Sequence, residues 1–203
     1  AAQGEMIYGA AKGMKNFIEI TLGTGVGSGI VIDGKVVYGH DGFAGELGHT
    51  TSIRRTGRMC NCGKIGCLES YASAIGVART ARELLEMDPK RPSTLRNMPA
   101  DDITSRDVAE AAAKGDALSI EVFNYTGRIL GEAFADFVAF SAPEAIVLFG
   151  GLAQAGDLIF KPTIDAMEDN LLSIWKGKVK VIPSQLPGSE AAILGSAALA
   201  WEL

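Results

Sequence analysis

Residues 17–38 read Phe17-Ile-Glu-Ile-Thr-Leu22, Gly23-Thr-Gly-Val-Gly-Ser-Gly29, Ile30-Val-Ile32, Asp33-Gly34, Lys35-Val-Val-Tyr38. Two β-rich runs flank a seven-residue segment with four glycines. Asp-Gly between apolar runs is a strong two-residue hairpin signal. The stretch therefore predicts an antiparallel meander of three strands, 17–22, 30–32 and 35–38. Ala1 to Lys15, just upstream, reads as the end of a helix.

Downstream, His40 to Glu69 has little periodicity and is rich in Gly, Cys, Arg and Thr; loops that long usually have a reason. Helical patterns follow. Ser70 to Met87 reads as one helix, and Pro89 to Pro99 as a connector with three prolines. Thr104 is placed as the N-cap of a helix through Lys114, stopped by Gly115. Ala117 to Phe140 is a long helix with a broad apolar face, which can pack in the core or against a second subunit. Ala145 to Phe149 reads as a buried strand followed by Gly150-Gly151. A helix over Asp157–Leu172, a strand over Lys178–Ile182 and an Ala-rich helix over Ser189–Trp201 complete the chain. Antiparallel strands followed by β-α-β-α make a mixed α/β plan.

The glycine segment has two readings. Gly23, Gly25, Gly27 and Gly29 would let backbone N–H groups approach anionic oxygens, with hydroxyl donors from Thr24 and Ser28. The other reading is a tight hairpin that uses glycine for its turn. Common nucleotide fingerprints are absent. Gly-x-Gly-x-x-Gly fails at Ser28 or at Ile30, a strand rather than a helix follows, and no Gly-Lys-Ser/Thr is present.

Cys60-Asn-Cys62-Gly-Lys-Ile-Gly-Cys67 holds all three cysteines, and His49 lies eleven residues before the first. An odd thiol count without a secretory signal argues against a disulfide framework. Three thiolates and one imidazole complete a tetrahedral Zn²⁺ site. With four protein ligands the metal has no open position, so its role is structural. His40 is a rival fourth ligand, and free buried thiols are the alternative to a metal site. Zinc bound to His49 and the cysteines would draw Glu46 and Glu69 together. Two carboxylates beside an imidazole suit a polyol, since carboxylates accept from hydroxyls. The bland alternative is a pair of solvated acids.

The composition excludes other classes. Of 203 residues, 47 % are apolar and 21 % charged, an ordinary globular balance. A net charge of −5 lends no support to a nucleic-acid surface. No apolar run is long enough to span a membrane, and the first residues lack the layout of a signal peptide. A start without Met is expected of a processed chain or a fragment. The expected compartment is the cytoplasm.

Together these segments resemble the ROK family of repressors, open reading frames and sugar kinases. Ala1-Ala-Gln-Gly-Glu5 is similar to the tail of the family's Asn-Asp-Ala-Asn-x-Ala-Ala-x-Gly-Glu segment. Gly23 to Ile30 resembles its phosphate loop. Gly45-Glu-Leu-Gly-His49 and Cys60 to Glu69 resemble its sugar and zinc motifs, and Gly150-Gly151 its adenosine-side turn. The resemblance implies the C-terminal lobe of an actin-like (ribonuclease H-like) α/β fold over 1–203, with a zinc- and sugar-binding insertion at about 40–69. It implies phosphoryl transfer from Mg·ATP to a hexose, most simply glucose at its 6-OH. Glu46, His49 and Glu69 would contact sugar. Gly23, Thr24, Gly25, Gly27, Ser28, Gly29, Gly150 and Gly151 would bind ATP, and His49, Cys60, Cys62 and Cys67 would bind zinc. The general base, an Asp, would lie upstream of Ala1 with the first lobe. A homodimer is expected. The family also implies an alternative, the sugar-sensing body of a transcriptional repressor.

Overall fold

The computed structural model describes residues 1–186. The helix read over Ser189–Trp201 lies outside them. A five-stranded mixed sheet forms the centre, built from β1 (Phe17–Leu22), β2 (Val26–Ile32), β3 (Lys35–Val36), β4 (Ala145–Phe149) and β5 (Lys180–Pro183), in the order β3-β2-β1-β4-β5. β1, β2 and β3 pair antiparallel, while β4 lies parallel to β1 and β5 parallel to β4. The meander is therefore present, and Asp33 and Gly34 turn it with φ of 52° and 75°. The third strand is shorter than 35–38. Its pairing is Lys35–Val36, with one further bond from Val37 N–H to Ile30 O before Gly39 turns the chain away.

Period-two alternation sorts the side chains. Ile18, Ile20 and Leu22 face one side of the sheet, and Phe17 faces the other with Val31 and Val147. The first side is covered by α5 (Ala117–Ser141) and α6 (Asp157–Asn170). Phe123, Leu130 and Phe134 of α5 join the strand side chains there in one core. Burying each such side chain is worth roughly 1.5–3 kcal/mol. Gly127 and Gly131 of α5 let α6 come close; a Cβ on Gly127 would lie 2.6 Å from the ring of Pro162. The long apolar helix thus packs in the core.

The second side is covered by α1 (Ala2–Tyr8). This helix is shorter than the reading to Lys15. The Glu5 carboxylate folds back to accept from Ala10 N–H at 2.8 Å, which satisfies that donor without another helical turn. The helix read over Ser70–Met87 is likewise two, α2 (Glu69–Ala72) and α3 (Ala74–Met87). Ser73 between them is extended and its hydroxyl accepts from Gly76 N–H, which makes it an N-cap rather than a helix interior. The capping reading of Thr104 holds: α4 (Ser105–Ala113) starts with a capping box between Thr104 and Asp107. Three short 3₁₀ turns, 94–97, 100–102 and 152–155, fill connections, and a fourth, Leu47–His49, lies against β2. No helix among the described residues is long and apolar enough to cross a membrane.

Candidate functional site

The segment from 40 to 69 owes its shape to short bridges rather than periodic structure. Thr51 pairs with Cys67 and Met59 with Ile65, and Leu68 N–H reaches Thr50 O at 2.9 Å. These bonds lay the His49 strip beside the Cys67 strip. One ligand atom from each of His49, Cys60, Cys62 and Cys67 falls within 4.8 Å of the others. Nδ1 of His49 is 3.8 Å from Cys60 Sγ, and Cys62 Sγ is 3.6 Å from Cys67 Sγ. Tetrahedral zinc with Zn–S of about 2.3 Å requires sulfurs roughly 3.8 Å apart, so the donor set fits that ion. The rival His40 is exposed and outside the group. Burial pushes the Cys67 thiol up to about 12, and crowding by Cys62 and Cys60 adds to it. The Cys62 thiol is held below its ordinary range, chiefly by a hydrogen bond from the Lys64 backbone, so it is the Cys67 thiolate that a divalent cation would have to compensate.

The sugar candidates meet around this cluster. His49 Nε2 lies 3.9 Å from Glu46 Oε2, on the ring edge away from the sulfurs. Cys60 Sγ lies 3.8 Å from Glu69 Oε1. Contacts therefore run without a break from Glu46 through His49 and Cys60 to Glu69. Glu69 Oε2 also accepts from Val26 N–H at 2.9 Å, which fixes the carboxylate against the start of β2.

Arg58, which sequence reasoning missed, fastens the cysteine loop to α3. Its guanidinium is buried and donates to Ser70 O, Gly76 O, Thr80 Oγ1 and the Glu83 carboxylate. It also stacks 4.6 Å from the centre of the Tyr71 ring, whose hydroxyl accepts from Arg58 N–H. Burial would raise the Glu83 pKa, but the hydrogen bonds from Arg58 and Arg79 outweigh it and hold the carboxyl below its ordinary range. The sequence signal was thin, a single Arg two residues before Cys60.

A second feature lies at the carboxyl ends of the parallel strands, where open α/β sheets bind ligands. A crevice of about 550 Å³ is lined by Thr21, Gly23, Gly150, Gly151, Gln154 and Ser184 among others. Gly150, at φ of +102°, closes over the end of β1; a Cβ there would lie 2.5 Å from Leu22 O. Thr21, Gln154 and Ser184 carried no motif and join the crevice only through the sheet. Of the seven-residue glycine segment, Gly23 lines this crevice, while Thr24, exposed at the hairpin tip, lines a separate hollow with Cys60, Glu69 and Arg79. The segment is not a free loop, since Val26 to Gly29 belong to β2 and pair with β1. Gly29 makes room for α1, because a Cβ would lie 2.6 Å from that of Ala2. Ala74 N–H donates to Gly23 O at 2.8 Å, tying the hairpin tip to the start of α3.

Beneath the crevice two carboxyl groups are buried. Glu5 accepts from the Ser184 hydroxyl, and Glu19 accepts from the Thr21 hydroxyl at 2.7 Å. Loss of water pushes the Glu19 pKa up to about 7, and the nearby Glu5 adds to it. The folded state thus favours neutral Glu19. That contribution is complete below the ordinary glutamate range and fades as pH rises through about 7. Glu19→Gln is expected to raise the melting temperature at about pH 8.5 and change it little at about pH 5, a difference on the order of 3 kcal/mol. Thermal melts at the two pH values check this; equal shifts at both would show an ionised Glu19.

The similarities to known proteins agree with this geometry. The sequence model of the ROK family matches residues 1–202. A glucokinase of Halalkalibacterium halodurans is 45 % identical over 162 residues, which are 80 % of this chain and 49 % of the relative. The N-acetylglucosamine repressor of Escherichia coli O157:H7 is 31 % identical over 186 residues, 91 % of this chain and 44 % of the repressor. The crystal structure of a ROK family glucokinase from Streptomyces griseus, in complex with glucose and AMPPNP, superposes with a TM-score of 0.89. The identity there is 33 %, over 100 % of this chain and 65 % of that one. The chain thus spans about half to two-thirds of the length of these proteins. The sheet order and its helices are those of the actin-like lobe, and the chain belongs to the ROK family.

Proposed function

We propose that this chain is the C-terminal lobe of a two-lobed kinase that phosphorylates a hexose, glucose in the first instance, from Mg·ATP. The observation that carries the reading is the line of contacts from Glu46 through His49 and Cys60 to Glu69, one hairpin tip away from the crevice at the strand ends. His49, Cys60, Cys62 and Cys67 would hold a structural Zn²⁺. With Nδ1 of His49 on the metal, Nε2 keeps its proton and can donate to a sugar oxygen. Glu46 and Glu69 accept from sugar hydroxyls and fix the ring, and such fixing removes much of the entropic part of the barrier. Gly150, Gly151 and Gly23 would line the nucleotide's seat, with Thr24 offering its hydroxyl and amide to the phosphates. The general base would be the Asp of the family's Asn-Asp-Ala-Asn segment, just upstream of Ala1. A homodimer in the cytoplasm completes the proposal.

The test is ADP release by the two-lobed protein against a panel of hexoses. A turnover of ~1–100 s⁻¹ with glucose is expected. Glu46→Gln and Glu69→Gln should each lower kcat/KM for glucose at least ~10-fold, since hydrogen bonds to charged groups are lost. Residues 1–203 alone should show little or no turnover. A normal rate from them would overturn the upstream base.

The similarity to an N-acetylglucosamine repressor favours a second reading, the effector-binding body of a transcriptional regulator. An upstream Asp-x-Gly-Gly-Thr within ~120 residues, about one domain, supports the kinase, and an upstream helix-turn-helix supports the regulator. Sugar binding without ADP release from any hexose would also favour the regulator.

A further inference from the structure

We propose that Gly25 and Ser28, which sit in the glycine-rich segment, serve the sugar side of the site by positioning Glu69 and Glu46. This rests on the kinase reading above.

Gly25 is not needed for its backbone angle, because its φ is not among the positive ones. It is needed for space. A Cβ on Gly25 would lie 2.4 Å from Glu69 Oε2, well inside contact distance. That same oxygen takes the N–H of the next residue, Val26, at 2.9 Å. Gly25 thus leaves the room in which the Glu69 carboxylate docks on β2.

Ser28 has a single hydroxyl proton, and it is spent. The hydroxyl donates to Gly45 O and accepts from Leu47 N–H at 3.1 Å. A phosphate needs donors, and this side chain has none left to give. What it does hold is the backbone on both sides of Glu46. Gly48 completes the fit, since a Cβ there would lie 2.1 Å from Val26 O. The 3₁₀ turn of Leu47–His49 therefore lies flat on β2, with Glu46 at its entrance. Both sugar carboxylates hang on one strand, Glu69 through Val26 and Glu46 through Ser28. Gly25 and Ser28 also stand apart from the residues of the crevice, where Gly23 alone represents the segment.

Gly25→Ala and Ser28→Ala in the two-lobed protein separate the roles. Glucose and the nonhydrolysable nucleotide AMPPNP are titrated separately by calorimetry, with thermal melting as the control for folding. Gly25→Ala is expected to weaken glucose at least ~10-fold, as a displaced charged acceptor would. Ser28→Ala is expected to weaken it ~3- to 10-fold, as a neutral hydrogen bond would. AMPPNP affinity should stay within ~2-fold in Ser28→Ala, since that hydroxyl bonds only the backbone on either side of Glu46. Ser28→Thr, which keeps the hydroxyl, should recover most of the loss. Ser28→Ala adds no atom and decides the matter if Gly25→Ala does not fold. Weaker AMPPNP with glucose unchanged in either variant, or an equal loss of both ligands in folded Ser28→Ala, overturns the assignment and leaves the kinase reading standing. A wild-type protein that binds neither ligand overturns the kinase reading, and this assignment with it.

Discussion

Cys60→Ser is expected to empty the metal site and to abolish sugar binding while nucleotide binding survives. Metal analysis of the wild-type protein should return about one zinc per chain, and of the variant close to none. The reason is geometric. Cys60 is the sulfur that touches both neighbours, His49 Nδ1 at 3.8 Å and Glu69 Oε1 at 3.8 Å. Zinc would hold the His49 strip and the Cys67 strip at fixed spacing, and only short bridges otherwise join them. Once they part, Glu46 and Glu69 would no longer meet around one cluster, as the proposed sugar site requires. Misplacement by about 1 Å can cost ~100-fold in rate, so kcat/KM for glucose should fall at least that far. A zinc-selective chelator, with Mg²⁺ in excess, should reproduce the loss in the wild-type protein. AMPPNP affinity should persist, because the crevice is built from strand ends and turns outside the cysteine loop. Simultaneous loss of both ligands, together with unfolding, would mean that the metal supports the whole lobe rather than its sugar side.

Arg58→Met should destabilise the protein by about 2–4 kcal/mol, or roughly 5–12 °C in melting temperature. Four hydrogen bonds and an aromatic stack end together. Ser70 O and Thr80 Oγ1 lose a donor in a dry setting, and Glu83 loses its strongest partner. Arg58→Lys should recover little, since one ammonium cannot span the fork that the planar guanidinium spans. The pH dependence follows from Glu83. Its pKa is lowered in the folded protein, so the pairing adds stability above the ordinary carboxylate range and loses it as pH falls through the folded value. Arg58→Met should therefore flatten the acid limb of the stability curve. Denaturant melts across the acid range measure this, and an unchanged acid limb would count against the pairing.

The two substitutions act on the same loop through different chemistry. Cys60 would hold the proposed sugar side through a metal, and Arg58 holds the outer wall of the loop to α3. Zinc content separates them. Arg58→Met, measured below its melting temperature, should keep about one equivalent, whereas Cys60→Ser should not.

Much of this was legible in the residues. The meander followed from β-rich runs and one Asp-Gly pair, because the period-two pattern and the turn geometry are local properties of the chain. The capping box at Thr104 was legible for the same reason. The cluster of His49 with the three cysteines was legible because the side-chain chemistry of three close thiols is restrictive, and that segment was one of several on which the resemblance to the ROK family rested. Helix ends were less so. Ser73 interrupts one apparent helix and Glu5 ends another, in each case through a side chain that competes for backbone donors.

The sequence by itself determined which elements form and which residue types can grip a metal, since both depend on neighbours along the chain. Only the tertiary structure decided which partners residues 23–29 meet. As a string they allowed two readings, a phosphate cradle or a tight hairpin. Folded, Gly23 faces a crevice made with Gly150, Gly25 faces Glu69, Ser28 holds the turn at Leu47, and Gly29 admits α1. Adjacent residues on a strand point to opposite faces, so what each one meets is set by partners that are distant in sequence and brought near by packing.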